Sequence, residues 1–253
     1  MKIEIISCLK DNYSYLIIDE KNKNACVVDP SEAQPIINYL DKNNIQLTFI
    51  LNTHHHYDHV GGNNELKKKY NAKVVGYIHD AKRIPNIDIT VKDGEIWSKN
   101  NFKAKIKHIP GHTLGHICFH FFNEKNIFTG DTLFSLGCGK IFEGTYSQMY
   151  ESLNFFKNLP LDTKIYCGHE YTYKNAEFCM KYDKGNSDLK ERFEIIKKTR
   201  SKNLPTIPAI LGDELKSNIF LRCNQSDLKN KLNMENCEDF KVFRKVRDLK
   251  DSF

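Results

Sequence analysis

The stretch Thr53-His54-His55-His56-Tyr57-Asp58-His59 decides how this sequence is interpreted. It follows the short apolar run 47–51, which predicts a buried strand, so the polar side chains begin where that strand ends. Side chains two positions apart at an extended strand end point to the same side. His54 and His56 can therefore bind one metal ion together.

After His56 the chain turns, and Asp58 and His59 are directed toward a second metal position. Two ions need more than four ligands, and the sequence offers others that follow predicted strands and have glycine neighbours, which let the backbone approach a crowded site. These are His112 in Pro110-Gly111-His112-Thr113, Asp131 in Thr129-Gly130-Asp131-Thr132 and His169 in Cys167-Gly168-His169-Glu170. The negative charge of Asp131 makes it the natural bridge between the ions. Imidazole and carboxylate ligands suit zinc, iron or manganese.

The remaining histidines are predicted to be packed or surface residues rather than ligands: His55, His79, His108, His116 and His120. His55 alternates with His54 and His56 and so points away from them. The spacing 112/116/120 would align three histidines on a helix. Pro110, Gly111 and Gly115 oppose a helix there, and Ile117–Phe122 is β-prone, so that alternative is rejected.

Composition indicates a globular chain of 253 residues, 40% hydrophobic and 28% charged, with a net charge of +6. No apolar run reaches the roughly 18 residues of a membrane span, and the N-terminus lacks the order of a signal peptide. We expect a cytoplasmic location and no membrane partner. The eight cysteines are scattered without a C-x-x-C pair, which predicts free thiols. No basic motif with interleaved aromatic residues appears, so no nucleic-acid partner is expected.

Apolar periodicity predicts an α+β fold with two domains. Strands are predicted at 2–7, 13–18, 25–28, 47–51, 73–76, 103–108, 117–122, 126–129 and 163–166. Helices are predicted at 32–43, 61–70, 147–158, 171–181, 187–200 and 238–250. Strand signals fade after about residue 183, so we predict a catalytic domain at 1–182 and a small helical substrate-binding domain at 183–253.

The run from Thr53 to His59, followed by Val60-Gly61-Gly62, resembles the signature of the metallo-β-lactamase superfamily, and the later motifs match in order. The resemblance implies a four-layer αββα sandwich with the metals at one edge. It also implies the ligand sets. His54, His56 and His112 would hold one metal, Asp58, His59 and His169 the other, and Asp131 would lie between the two ions.

The rest of the chain resembles glyoxalase II, the hydroxyacylglutathione hydrolase family. Gly137–Thr145 resembles its glutathione-contacting loop, Cys167–Thr172 its last metal motif with a substrate tyrosine, and Arg247–Asp251 its paired basic residues. The resemblance implies a set of substrate-binding residues. They are Lys140, Phe142, Tyr171, Arg247 and Lys250. Phe142 departs from the family, which often has tyrosine there, so a hydroxyl contact to the substrate would be missing.

The basic pair also suits glutathione on chemical grounds, because glutathione carries two carboxylates. Arg247 and Lys250 are three apart on a predicted helix, share a face, and could bind one carboxylate together. The alternative is a solvated helix face. The resemblance implies that S-(2-hydroxyacyl)glutathione, typically S-D-lactoylglutathione, is hydrolysed to glutathione and D-lactate in methylglyoxal detoxification. A hydroxide bridging two divalent metals, with zinc expected and iron or manganese as alternatives, would be oriented by the catalytic Asp58.

Three other functions compete with this hypothesis. A persulfide dioxygenase of the same fold would use one iron and would lack the helical tail with Arg247 and Lys250. A nucleic-acid-processing enzyme would carry longer basic runs. A scaffold that kept the fold without catalysis would not need the complete ligand set. A serine nucleophile is disfavoured because no G-x-S-x-G motif occurs, and Cys138 and Cys167 are expected to be packed thiols. The oligomeric state is not predicted by the sequence.

Overall fold

A computed structural model describes all 253 residues, which divide by their internal contacts into two compact units. Unit 1 comprises 1–108 and 115–130, and unit 2 comprises 109–114 and 131–253. Sheets, helices and a helical C-terminal region are all present, as the sequence predicts. The boundary expected at residue 182 stays a prediction.

Unit 1 contains a six-stranded mixed sheet whose strands lie in chain order. The strands are β1 (Lys2–Cys8), β2 (Asn12–Asp19), β3 (Asn24–Val28), β4 (Gln46–Leu51), β5 (Lys73–Tyr77) and β6 (Ile89–Val91). The first three pair antiparallel through tight turns, whereas β3 to β6 are parallel. Parallel neighbours need crossover connections, and helices supply two of them.

The crossover helices of unit 1 are α1 (Gln34–Asn43), α2 (Tyr57–Val60) and α3 (Asn63–Tyr70). Pro35 lies in the first turn of α1, where its missing N–H costs no hydrogen bond, and the helix ends at Asn44 in the left-handed region. Ile36 and Leu66 are buried in the core that α1 and α3 share with the sheet. This packing fixes the loop between β4 and α2, which carries the histidine run.

Unit 1 also holds four antiparallel strands: β7 (Ile96–Lys99), β8 (Phe102–His108), β9 (Ile117–Phe121) and β10 (Asn126–Gly130). In β8 the apolar residues Phe102, Ala104 and Ile106 are fully buried, while the lysines between them face outward. This alternation is the period-2 pattern of a strand with one buried face.

Unit 2 is mostly helical. Its strands are β11 (Leu133–Phe134), β12 (Gly137–Cys138), β13 (Lys164–Cys167) and β14 (Ala209–Ile210). Its helices are α4 (Tyr146–Phe156), α5 (Thr172–Asp183), α6 (Ser187–Arg200), α7 (Leu211–Ser217), α8 (Ser226–Lys231) and α9 (Asp239–Asp251). Thr145 and Gln148 form a capping box at the start of α4, and the Asn186 side chain caps α6. The buried rings of Phe178, Phe220 and Phe243 form its core.

Two further features concern the whole chain. No helix is both long enough and apolar enough to cross a lipid bilayer. All eight cysteines are free and seven of them are buried, which confirms the prediction of free thiols.

Candidate metal centre

Four of the predicted metal ligands lie in unit 1: His54 and His56 in the loop after β4, and Asp58 and His59 in helix α2. His54 and His59 are buried, whereas His56 and Asp58 are partly exposed. The His54 ring centroid lies 4.7 Å from that of His56 and 4.2 Å from that of His59. The structure therefore brings the imidazoles of this run together.

Asp29 lies behind this cluster and was not predicted from the sequence. Its carboxylate accepts hydrogen bonds from the Thr53 N–H (2.8 Å), the Thr53 hydroxyl (2.6 Å) and Nδ1 of His59 (3.0 Å). Because the Thr53 hydroxyl donates to Asp29, its oxygen accepts from Nδ1 of His54, 3.0 Å away. Both histidines thus carry their proton on Nδ1, which leaves the Nε2 lone pairs to bind a metal.

The only sequence signal for Asp29 is an acidic residue directly after the buried strand β3. Asp29 also has a positive φ of 47°, directly before Pro30. A non-glycine residue in the left-handed region is held there by its surroundings. The three hydrogen bonds to its carboxylate hold it, together with the bonds from its N–H to the Leu51 carbonyl and from the Ser14 hydroxyl to its own carbonyl.

Asn12 is a second residue that the sequence analysis missed. It is buried at the start of β2, and its Nδ2 donates to the carbonyl oxygen of Asp58 (3.1 Å) and to Oδ2 of Asp58 (3.0 Å). These bonds fix both the backbone and the carboxylate of Asp58. No local motif marks Asn12, since 46 positions separate it from Asp58.

His55 faces away from the cluster, as its alternation with His54 and His56 predicts. Its Nδ1 lies 3.1 Å from Oδ2 of the buried Asp80, which also binds Arg83. Burial by itself would raise the pKa of Asp80, but the hydrogen bonds and charges of His55 and Arg83 hold that pKa below its ordinary value. Asp80 therefore remains a carboxylate that anchors His55.

The other histidines pack as expected, and no helix forms over 112–120, because β9 begins at Ile117. His108 stacks on Tyr77 with 4.7 Å between centroids, and burial lowers the pKa of His120. His116 is fully buried and stacks almost parallel to His54, at 4.5 Å and 19°. It supports the ring of a predicted ligand.

Unit 2 contains the other three predicted ligands, all of them buried. Oδ2 of Asp131 lies 3.6 Å from Nε2 of His112 and 3.3 Å from Nε2 of His169. Nδ1 of His112 donates to the carbonyl oxygen of Lys140 at 2.8 Å, so its Nε2 is again left as the ligand atom. The carboxylate of Asp131 thus lies beside two imidazole nitrogens.

The donor set fits divalent metal ions. Imidazole Nε2 atoms and carboxylates converge within each unit, and the nearby cysteine does not compete with them. Cys167 is buried, and burial raises the pKa of its thiol to about 12, so it stays protonated. Cys138 is also buried, with a raised pKa. Both cysteines are packed thiols, as predicted.

The residues predicted to bind substrate are all in unit 2. Tyr171 stacks on the ring of His169, with 4.6 Å between centroids and an interplanar angle of 5°. The Phe142 ring is 61% exposed and meets His112 edge-on at 5.2 Å. Nζ of Lys140 lies 5.6 Å from the centroid of Phe142. Two of these side chains therefore contact predicted metal ligands directly.

Arg247 and Lys250 lie on α9 and are less exposed than a solvated helix face would be. Nζ of Lys250 lies 5.0 Å from the centroid of Phe178 and 5.1 Å from that of Phe253, and burial lowers the pKa of this amine. Arg247 is only 4% exposed. Its Nη2 donates to Asp251, its Nη1 donates to backbone carbonyls, and its buried Nε has no hydrogen-bond partner in the protein.

Comparison with known families accounts for nearly the whole chain. Residues 10–91 and 101–169 match the family described as the metallo-beta-lactamase superfamily, and residues 170–253 match the hydroxyacylglutathione hydrolase C-terminus. A hydroxyacylglutathione hydrolase from Pelagibacter ubique is 60% identical over 253 residues, covering all of both chains. One from Methylococcus capsulatus is 42% identical over 253 residues, covering 100% of this chain and 99% of that one.

Solved structures agree on the fold. The crystal structure of ETHE1 from Myxococcus xanthus has a TM-score of 0.68 at 23% identity, covering 99% of this chain and 98% of that one. The BLEG-1 B3 metallo-beta-lactamase has a TM-score of 0.67 at 18% identity, covering 87% of this chain and 99% of that one. The chain has the metallo-beta-lactamase fold and belongs to the hydroxyacylglutathione hydrolases (glyoxalase II), a family of hydrolytic enzymes.

Proposed function

We propose that this enzyme hydrolyses S-D-lactoylglutathione and related 2-hydroxyacyl thioesters at a centre of two divalent metal ions. The observation that carries the proposal is the shared hydrogen-bonding pattern of three buried histidines. His54, His59 and His112 each bond through Nδ1 to a protein or backbone oxygen, so each presents Nε2 as a metal ligand. Histidines that are merely packed in a core have no reason to share this pattern, in which Nδ1 is bonded to an oxygen and Nε2 is left over.

Seven residues would hold the two metals, in the sets that the family resemblance implies. They are His54, His56 and His112 for one ion, Asp58, His59 and His169 for the other, and Asp131 between them. When bound, such ions polarise a carbonyl oxygen and lower the pKa of water to about 7. Zinc is the expected metal, with iron and manganese as the alternatives that these ligands also suit.

Asp58 is proposed to orient the attacking water as well as to bind a metal. Its carboxylate is fixed on one side by Asn12, so it cannot rotate freely, and it is partly exposed toward solvent. Attack on the thioester carbonyl then expels the glutathione sulfur. A thiol of pKa roughly 8.5 leaves as a thiolate without a proton donor, so the site needs no separate general acid.

The glutathione part of the substrate is proposed to lie against unit 2. Lys250 offers an ammonium to a substrate carboxylate, and the guanidinium of Arg247, three residues before it on α9, adds the second positive charge of the pair. Lys140 adds a further donor from the loop. The rings of Tyr171 and Phe142, which contact His169 and His112, would line the path from glutathione to the acyl group.

A cytoplasmic location and a role in methylglyoxal detoxification complete the proposal. Eight free cysteines support the location, because thiols stay reduced in compartments that keep glutathione reduced. Such a compartment also supplies the glutathione that the substrate contains.

A thioester hydrolysis assay with S-D-lactoylglutathione tests the proposal. We expect purified protein with two divalent metals to hydrolyse it, and His54→Ala to lose both metal and turnover. His79→Ala is the matched control, because His79 is exposed. Uptake of oxygen with glutathione persulfide, without thioester hydrolysis, would contradict the proposal, as would full activity of His54→Ala.

A further inference from the structure

Buried polar side chains from three C-terminal elements of unit 2 hold the loop 134–140. Nδ2 of Asn175 donates to the Ser135 carbonyl at 3.1 Å. The carboxylate of Glu214 accepts from the Leu136 N–H at 2.8 Å, and Nδ2 of Asn218 donates to the Gly137 carbonyl at 3.2 Å. The loop comprises the end of β11, the turn to β12, strand β12 and the two residues after it. Such bonds replace water for the backbone groups of this segment. The position of the loop is therefore set from outside its own sequence.

Arg247 provides the last of these attachments, near the C-terminal end of the loop. Its Nη1 donates to the carbonyl of Cys138 at 2.8 Å and to that of Gly139 at 3.3 Å. Asp251, one turn along α9, accepts from Nη2 at 2.9 Å and fixes the plane of the guanidinium. A planar fork held at both ends defines the direction of its donors, which a lysine cannot do.

The residues held by Arg247 touch two predicted metal ligands. The Gly139 N–H donates to the Thr132 carbonyl, and a Cβ at position 139 would overlap the carbonyl oxygen of Asp131. The next residue, Lys140, accepts through its carbonyl the hydrogen bond from Nδ1 of His112, at 2.8 Å. Arg247 therefore binds the Gly139 carbonyl, and the Lys140 carbonyl, which orients His112, belongs to the next residue.

We propose that Arg247 is a positioning residue for the metal centre: it holds the 138–139 backbone so that the Lys140 carbonyl orients the imidazole of His112. The inference rests on the proposed function, because it takes His112 as a metal ligand. It gives one guanidinium two tasks. Nη1 holds the loop, while the positive charge of the group attracts the substrate carboxylate.

The two tasks predict different losses. Removing a partner that orients a ligand histidine costs about 10- to 100-fold in metal affinity or activity. Because Arg247 acts on His112 only through the backbone of the next residue, we expect a loss at the lower end of this range, about tenfold. Losing only a contact with the substrate carboxylate would raise KM and leave metal affinity unchanged.

The experiment compares Arg247→Ala, Arg247→Lys and, as a matched control on the same helix, the exposed Lys245→Ala. Zinc affinity is measured by competition with a chelator, and the visible spectrum of the cobalt(II)-substituted protein reports the ligand geometry. We expect both Arg247 variants to bind zinc about tenfold more weakly, with altered cobalt spectra and lower kcat. Arg247→Lys keeps a cation, so its KM should rise less than that of Arg247→Ala. Lys245→Ala should match the unaltered enzyme.

Unchanged zinc affinity and an unchanged cobalt spectrum in both Arg247 variants would overturn the proposal, whatever happens to KM. If Arg247→Ala fails to fold, Arg247→Lys decides the question by the same two measurements. Failure of the proposed function is distinguishable, because it would appear as absent thioester hydrolysis in the unaltered enzyme. The zinc and cobalt measurements do not depend on that activity.

Discussion

Oδ2 of Asp29 accepts a hydrogen bond from Nδ1 of His59 at 3.0 Å, although 30 positions separate the two residues. The same carboxylate binds Thr53, whose hydroxyl contacts Nδ1 of His54. One buried carboxylate therefore sets the tautomer of two predicted metal ligands. Such partners raise the basicity of the ligand and fix its ring orientation.

Asp29→Asn should weaken metal binding by about 10- to 100-fold. An amide keeps one acceptor, but its NH₂ must face either the N–H of Thr53 or the donors from Thr53 Oγ1 and His59. Zinc competition with a chelator measures the effect, and Asp19→Asn, which alters a partly exposed carboxylate at the end of β2, is the control. Unchanged zinc affinity would show that Asp29 has no influence on the ligands.

Gly139→Ala should lower kcat by about 100-fold, because misplacing catalytic groups by roughly 1 Å has an effect of that size. An added Cβ would overlap the Asp131 carbonyl oxygen, so the loop would have to move away from both Asp131 and His112. Steady-state kinetics provide the measurement. Gly185→Ala serves as the control, because its added Cβ would meet only the flexible end of Lys231. Similar kcat values in the two variants would contradict this prediction.

Most helices and strands were predicted from the sequence, because the spacing of their apolar residues reflects which side chains are buried in the structure. In β8, for example, the apolar residues are the buried ones, and in α9 three of the four buried residues are apolar. Several short elements were not predicted, because runs of so few residues show no clear period. They are the strands β6, β7, β11, β12 and β14 and the helices α2, α7 and α8. Their positions depend on contacts with distant side chains, such as Asn218 and Arg247 with the loop 134–140.

The parts of the metal site that are close in sequence were also predictable, whereas the residues brought in by tertiary packing were not. His54 and His56 are two positions apart, and the extended backbone after β4 relates the directions of their side chains. Asn12 and Asp29 escaped notice because only tertiary packing brings them to Asp58 and His59. The burial of Arg247 could not be foreseen either, since a cation on a helix is usually solvated.

Lys250→Met should weaken binding of S-methylglutathione about tenfold at pH 7, as expected for losing a charged hydrogen bond worth about 1.5 kcal/mol. Burial lowers the pKa of Lys250 from 10.5, and only the ammonium below that lowered pKa attracts a carboxylate. As pH rises through the lowered pKa, the unaltered enzyme loses this charge. The ratio of the two dissociation constants should therefore begin to fall toward one at a pH below 10.5.

Isothermal titration calorimetry between pH 7 and pH 10 measures both constants, and the ligand has no free thiol to titrate. Lys245→Met, which removes an exposed lysine from the same helix, is the control. A ratio that stays constant across this range would mean that the charge of Lys250 does not contribute to binding.

Phe142→Tyr should lower KM for S-D-lactoylglutathione by about 2- to 10-fold, which corresponds to about 0.5–1.5 kcal/mol for one hydrogen bond. The ring is 61% exposed and meets His112 edge-on, so a hydroxyl can be added without disturbing the core or the ligand. Because the new bond forms equally with the substrate and the transition state, kcat should not change. Steady-state kinetics test this, with Phe193→Tyr on α6 as the control. If KM stays the same or rises, the phenyl ring itself is what this enzyme uses at position 142, and the missing hydroxyl costs it no affinity.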